Sequence, residues 1–175
     1  MERTRTRSAL FWSTVTGVLI LDIITKMLAE TYLVPQRVPH EVFGDVVRLT
    51  LVYNPGAAFG LYLGPHSRWI FTALTIGALF LLAHLYRTTR AGDWQRTLAI
   101  ALVTAGAVGN LIDRLRSSRG VVDFLDVGVG AWRWPTFNVA DMAVSTGAFL
   151  LAWVLWGEDR EAAAAAARAP ARPGP

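Results

Sequence analysis

The chain has 175 residues, of which 53% are hydrophobic and 17% are charged, and its formal net charge is +4. A soluble domain carries about a quarter of its residues as charges, so this composition favours a membrane protein. The absence of cysteine excludes disulfides, thiolate nucleophiles and cysteine-ligated metals. The three histidines lack metal-ligand spacing, and the basic residues flank apolar segments. We therefore expect neither a metal site nor a nucleic-acid surface.

Four apolar segments approach the length of about 20 residues that a helix needs to cross a bilayer. The sequence predicts membrane spans over residues 9–28, 69–86, 97–112 and 139–156. The expected fold class is therefore a mainly α-helical integral membrane protein with four transmembrane helices. We expect residues 1–157 to form its single domain.

The arginines predict how these spans are oriented. Two arginine groups fall before the first span and between the second and third spans: Arg3, Arg5 and Arg7, and Arg87, Arg90 and Arg96. The positive-inside rule places both groups, and with them both chain termini, in the cytoplasm. Segments 29–68 and 113–138 then face outward. The arginines within 113–138 run against this rule, and either snorkelling to headgroups or contact with lipid phosphate would explain them.

The outward segment between the first two spans is too long for a simple turn. Residues 42–53 include β-branched side chains in partial alternation, which predicts one or two short strands on the membrane surface. Asn54-Pro55-Gly56 follows as a turn signal. At the other end of the chain, the alanine-rich tail 158–175 is expected to be a frayed helix followed by disorder.

Two aspartates at the membrane edge carry the strongest chemical signal. Asp123 lies in an apolar tract after the third span, and Asp141 lies at the start of the fourth. Ionisable groups in such positions are costly and indicate function. Two carboxylates at one end of a helix pair could share a proton and act as acid and base. Asp141 could instead cap its helix, although Asn138 already fits that position. A catalytic pair, a structural role and an ion pathway all remain open.

A second polar group lies on the spans themselves. Asn110, Asp113 and Arg114 share one helix face, which should point into the bundle or into a water-filled cavity. Asp113 could form an ion pair with Arg114 or a neighbour, and Asn110 could bond another helix or a substrate. Asp22 and Lys26 are spaced for an intrahelical pair, with a supporting role near the site as the alternative.

At these residues the chain closely resembles the signal peptidase II family, the bacterial lipoprotein signal peptidases (aspartic peptidase family A8). The resemblance rests on successive blocks whose order and spacing agree with the four spans: Asp22–Lys26, Asn54–Phe59, Gly109–Arg114, Gly120–Phe124 and Phe137–Asp141. It covers about residues 9–156. Pro55 stands where a small polar residue is expected, and Met142 stands where serine is common.

The resemblance implies an aspartic endopeptidase of the bacterial inner membrane, active toward the outer face. Its substrates would be prolipoproteins modified with diacylglyceryl, cut just before the lipidated cysteine. Carried over by position, Asp123 and Asp141 would be the catalytic dyad. The remaining positions would place the substrate (Asn54, Asn110, Arg114 and Asn138) or support the site (Asp22 and Asp113). The resemblance implies no metal or organic cofactor, membrane lipids as partners, and a monomer.

Two other classes of protein remain as alternatives. A small proton-coupled transporter could use intramembrane aspartates as a relay, although it would need acidic groups at mid-membrane. A membrane scaffold without catalysis would tolerate single Asp→Asn changes at positions 123 and 141.

Overall fold

The structure is a computed structural model that describes residues 2–56 and 62–168. In these ranges the chain forms four long helices and one sheet, in the order α1 (Glu2–Tyr32), β1 (His40–Phe43), β2 (Val47–Asn54), α2 (Ser67–Thr88), α3 (Trp94–Arg116), β3 (Val121–Val129), β4 (Trp132–Arg133) and α4 (Val139–Arg168). Residues 57–59 of the Asn54–Phe59 block lie outside the described residues.

The four helices are long and apolar enough to cross a membrane, over Thr4–Tyr32, Ser67–Thr88, Trp94–Arg116 and Val139–Arg160. The predicted fold class is therefore confirmed. The first three helices begin before their predicted spans, because backbone hydrogen bonding continues into the polar residues that flank each apolar stretch. Helix α4 continues to Arg168, so the first part of the tail 158–175 is helical. Residues 169–175 lie outside the described range.

Helix α3 is the centre of the bundle. Half of its apolar span is buried, against 17% for each of the other three, and it packs against all of them. Its small residues allow close approach: a Cβ on Gly106 would overlap the carbonyl oxygen of Ala140 and lie 2.7 Å from Val144 Cγ2. This contact holds α3 against the first turns of α4, where Asp141 lies.

The sheet has the antiparallel order β1-β2-β3-β4. Strands β1 and β2 lie between α1 and α2, as predicted. Strands β3 and β4 come from the segment between α3 and α4, for which the sequence predicted no strand. Val52 pairs with Asp123 and Asn54 with Val121. Asn54 and Asp123 are therefore diagonal neighbours across two strands, close enough for their side chains to meet.

An apolar cluster fixes the sheet on the bundle. Ala29 and Leu33 at the end of α1 pack with Leu51 of β2 and with Val122 and Phe124 of β3. All five are buried, so the strand that carries Asp123 has a rigid position relative to α1.

Candidate active site

Asp123 lies near the buried beginning of β3, with 2% of its surface exposed. Both of its carboxylate oxygens accept hydrogen bonds. Asn138 Nδ2 donates to Oδ1 at 2.7 Å, and Asn54 Nδ2 donates to Oδ2 at 3.2 Å. Gly120 permits this arrangement because it has φ +100° and because a Cβ there would overlap the carbonyl oxygen of Asn54. The strand end that carries Asn54 therefore lies directly against the start of β3.

Asp141 and Asn138 form a reciprocal cap at the start of α4. The Asp141 backbone N–H donates to Asn138 Oδ1 at 2.9 Å, and the Asn138 backbone N–H donates to Asp141 Oδ2 at 3.2 Å. This is the geometry of a capping box. Asn138 therefore bonds both aspartates, and the capping function considered for Asp141 coexists with its place beside Asp123.

Asn110 joins this arrangement from α3. Its Nδ2 donates to Asp141 Oδ1 at 2.8 Å. Its Oδ1 accepts from Lys26 Nζ at 3.0 Å and from Asn138 Nδ2 at 3.2 Å. Lysine is only a donor, so Lys26 fixes which end of the Asn110 amide faces Asp141. The two aspartates consequently accept at all four carboxylate oxygens.

Lys26 is the centre of a buried ion cluster behind the aspartates. Its Nζ lies 2.8 Å from Asp22 Oδ2 and 2.9 Å from Asp113 Oδ2, and 2% of its side chain is exposed. The intrahelical pair considered from the sequence is therefore present, and Lys26 also bonds a second helix. Sequence reasoning missed that role. The signal was a lysine inside an apolar span, which needs polar partners from neighbouring helices.

Asp22 and Asp113 also hold the backbone next to Asp141 and Asp123. Asp22 Oδ1 accepts from the N–H of Ala140, which precedes Asp141, at 2.9 Å. Asp113 Oδ2 accepts from the N–H of Val122, which precedes Asp123, at 3.2 Å. The ion cluster therefore contacts β3 immediately before Asp123 and α4 immediately before Asp141.

Arg114 is buried and bonds two backbone carbonyls. It donates to the Asn110 carbonyl at 3.3 Å and to the Gly56 carbonyl at 3.1 Å. The neighbouring Asp113 pairs with Lys26 and with Arg116, whose Nε lies 3.1 Å away. Arg114 therefore ties the segment after β2 to α3. With it, the eight side chains singled out from the sequence belong to one hydrogen-bonded network.

The electrostatic setting of Asp123 differs from that of Asp126 on the same strand. Burial and the nearby charge of Asp141 raise the pKa of Asp123 to about 7, against the opposing hydrogen bonds from Asn54 and Asn138. Burial also acts on Asp126, but hydrogen bonds from Arg133 and Thr50 hold the pKa of Asp126 below its ordinary value. Asp123 is therefore suited to hold a proton near neutral pH.

A cleft of about 390 Å³ opens beside both aspartates. Its walls combine the polar dyad region with aromatic, apolar and hydroxyl side chains: Asn54, Asp123, Trp134, Pro135, Thr136, Phe137, Asp141, Met142, Ser145 and Thr146. Mainly apolar walls with a few polar groups are typical of ligand-binding clefts. In the described part of the chain, no group of three His, Cys, Asp or Glu side chains could hold a metal ion.

Two sequence relatives match this chain over long segments. A lipoprotein signal peptidase of Burkholderia mallei (strain SAVP1) is 51% identical over 106 residues, covering 59% of this chain and 62% of that protein. A lipoprotein signal peptidase of Rhodococcus jostii (strain RHA1) is 42% identical over 139 residues, covering 77% of this chain and 66% of that protein. The matched region therefore spans between three-fifths and two-thirds of these relatives.

Two solved structures share the fold. One, described as a bacterial membrane enzyme structure by the in meso method at 2.3 Å resolution, has a TM-score of 0.77 and 30% identity, covering 85% of this chain and 88% of that one. A second, described in the same words at 1.9 Å resolution, has a TM-score of 0.73 and 30% identity. It covers 83% of this chain and 91% of that one. Residues 14–157 match the family model described as signal peptidase (SPase) II. The chain thus belongs to the signal peptidase II family, Peptidase_A8.

Proposed function

We propose that this chain is a membrane aspartic endopeptidase that removes signal peptides from diacylglyceryl-modified prolipoproteins. The cut falls just before the lipidated cysteine. The observation that carries the proposal is the pair Asp123 and Asp141, joined by Asn138 at the edge of a cleft. Family membership and the names of the relatives support the lipoprotein substrate.

In the proposed mechanism Asp123 holds the proton and Asp141 is the base. The raised pKa of Asp123, about 7, favours its protonated form, which leaves the role of base to its partner in the pair, Asp141. Asp141 takes a proton from a water molecule, whose oxygen attacks the scissile carbonyl carbon, while Asp123 donates a hydrogen bond to the carbonyl oxygen. Asp141 then gives this proton to the leaving nitrogen as the C–N bond breaks, which returns both aspartates to their starting protonation states.

The other residues of the network place the substrate or hold the dyad. Asn54 and Asn138 present amide groups beside Asp123, and Asn110 does so beside Asp141. Arg114 brings a positive charge and fixes the chain at Gly56, next to the cleft residue Asn54. The resemblance assigns substrate placement to these same residues, and we propose that role for them.

The proposed membrane arrangement puts both termini in the cytoplasm and the dyad toward the outer face of a bacterial inner membrane. The four apolar helices support a multi-pass protein, and the arginine groups before α1 and between α2 and α3 support this orientation. We propose residues 1–157 as the single peptidase domain and a monomer as the working unit.

The geometry supports a transporter less well. A proton relay needs ionisable groups that can exchange protons along a path. The ionisable groups behind the dyad, Asp22, Lys26 and Asp113, are instead paired with one another and with backbone N–H groups.

The substrate class can be tested with one purified prolipoprotein in two forms, with and without diacylglyceryl on its cysteine. The protein, reconstituted in lipid nanodiscs, should release the signal peptide from the modified form only. Mass spectrometry of the products should place the cut immediately before the lipidated cysteine. Equal cleavage of the unmodified form, or a cut at another bond, would refute the proposed specificity.

A further inference from the structure

Two turns lie side by side at the end of the sheet away from the dyad. Val47 of β2 pairs with Val127 of β3, so the β1–β2 turn and the β3–β4 turn are neighbours. The Gly130 N–H donates to Asp45 Oδ2 at 2.6 Å, and Arg133 donates to the Asp45 carbonyl at 2.5 Å. We refer to residues 42–46 and 129–134 as the sheet tip. Its two halves form one surface because these bonds join them.

The sheet tip exposes large apolar side chains. Trp132 is 89% exposed, Phe43 79% and Val129 68%. Three further side chains are 48–58% exposed: Val42, Val46 and Trp134. A cluster of this kind on two tight turns marks a surface that contacts something other than water.

The charges of the tip are neutralised within the protein. Its sequence holds one acidic and one basic residue, Asp45 and Arg133. Arg48 pairs with Asp45 at 2.8 Å and with Asp126 at 3.2 Å, and Arg133 pairs with Asp126 at 2.8 Å. The negative charges of these two carboxylates balance the positive charges of the two guanidinium groups. The tip therefore presents apolar side chains on a surface without net charge. Such a surface can leave water at low electrostatic cost.

The base of the tip lies near the membrane end of α4. Trp134 lines the same cleft as Ser145 and Thr146, which belong to the apolar span Val139–Arg160 of α4. The tip therefore begins close to the level at which this helix enters the membrane.

We propose that the sheet tip inserts into the headgroup region of the membrane face that carries the dyad. The partner is the lipid surface. Tryptophan and other aromatic side chains prefer this region because an apolar ring with a polar edge suits its mixed environment. The tip then holds the outer end of β3 at the membrane while its inner end holds Asp123. This inference does not depend on the proposed reaction.

Spin labelling tests this insertion without background, because the chain has no cysteine. Phe43→Cys and Trp132→Cys are labelled separately in liposomes of phosphatidylethanolamine and phosphatidylglycerol. Collision rates of each label with oxygen, which concentrates in lipid, and with a water-soluble nickel chelate are measured. Phe149→Cys on the exposed face of α4 is the lipid control, and Ala91→Cys in the connection between α2 and α3 is the water control. The thermal transition of each labelled protein shows that it is folded.

The ratio of oxygen to nickel collisions at 43 and 132 should exceed that at 91 several-fold and approach that at 149. A ratio at 43 and 132 equal to that at 91 would mean that the tip faces water and would overturn the proposal. Labels shielded from both reagents would mean that protein covers the tip, which would overturn it equally.

Discussion

At the scale of single residues, Asn138 connects the two aspartates. Its side chain donates to Asp123 and accepts from the N–H of Asp141, while its own N–H donates to the Asp141 carboxylate. One fully buried amide thus combines a helix cap with the placement of both acids. The two functions can be separated by substitution.

Asn138→Ser should separate capping from placement. Serine is a good N-cap, and its hydroxyl can accept from the Asp141 N–H. The thermal stability of Asn138→Ser should therefore fall by less than that of Asn138→Ala. In the alanine variant, loss of the cap alone costs about 1 kcal/mol. The shorter serine cannot span the distance to Asp123, so cleavage should be strongly reduced in both variants. Thermal unfolding and cleavage assays on the same preparations measure the two effects. Normal cleavage by Asn138→Ser would show that its bond to Asp123 is dispensable.

Asp123 should make the stability of the fold depend on pH. Its pKa is raised from 3.8 in the unfolded chain to about 7 in the folded protein, so between these values the folded state binds the extra proton. The free energy of unfolding should therefore fall as pH rises from about 4 to about 7, and this contribution should then level off. Unfolding in detergent, followed across this range for the wild type and for Asp123→Asn, gives the contribution as a difference. A difference that does not change with pH would contradict the raised pKa.

At the scale of secondary-structure elements, Lys26 joins α1 to α3 and, through Asp22, to the first turn of α4. Removing one partner of a buried ion pair leaves the others desolvated and unpaired. The contact between α3 and α4 is equally close, since Gly106 leaves no room for a side chain beside Ala140. The positions of β3 and α4, which carry Asp123 and Asp141, therefore depend on a few tightly packed residues.

Lys26→Met should destabilise the protein by about 3–5 kcal/mol, because Asp22 and Asp113 lose their shared cation in a buried site. The matched control is Arg96→Met, which removes a partly exposed pair between α3 and Glu158 of α4. That change should cost less than about 1 kcal/mol. Denaturant unfolding in detergent compares the two. Similar losses of unfolding free energy in both variants would mean that the Lys26 cluster stabilises the bundle no more than a partly exposed ion pair does.

Gly106→Ala should destabilise the packing of α3 on α4 by about 1–3 kcal/mol, because the new methyl group overlaps Ala140 and approaches Val144. Gly77→Ala on α2 meets no atom within 4 Å and is the matched control. Its stability should stay within about 1 kcal/mol of the wild type or rise. The thermal transitions of both variants measure the contrast, and an undiminished transition in Gly106→Ala would contradict the close contact.

Some elements could be predicted from the sequence and others could not. The membrane spans could be predicted, because the length of an apolar stretch is a local property of the sequence. The strands over 42–53 could be predicted as well. Strands β3 and β4 could not. The first residues of β3 are buried on both faces, so Val121 to Phe124 show no alternation. The aspartates of the motifs could be recognised in the sequence. The bonds from Lys26 to Asp113 and Asn110 could not be predicted, because they join residues far apart in the chain.

At the scale of the whole molecule, helices α1, α3 and α4 and strand β3 meet at the ion cluster of Asp22, Lys26 and Asp113. The sheet begins at this point and ends at the exposed tip, so one strand, β3, connects the candidate dyad with the proposed lipid contact. The ion cluster and the caps hold Asp123 and Asp141 from behind, and the cleft opens in front of them. The arrangement suits a peptidase whose substrate lies along the membrane surface.

The central claim is that both Asp123 and Asp141 are required for cleavage, and single asparagine variants test it most directly. Cleavage of the diacylglyceryl-modified prolipoprotein is measured for Asp123→Asn, Asp141→Asn and the control Asp126→Asn, which changes an aspartate on the same strand outside the dyad. Each dyad variant should lose activity on the order of 1,000-fold, because acid–base catalysis needs both groups. The control should stay within a few-fold of the wild type. Near-normal cleavage by either dyad variant, in folded protein, would contradict the account.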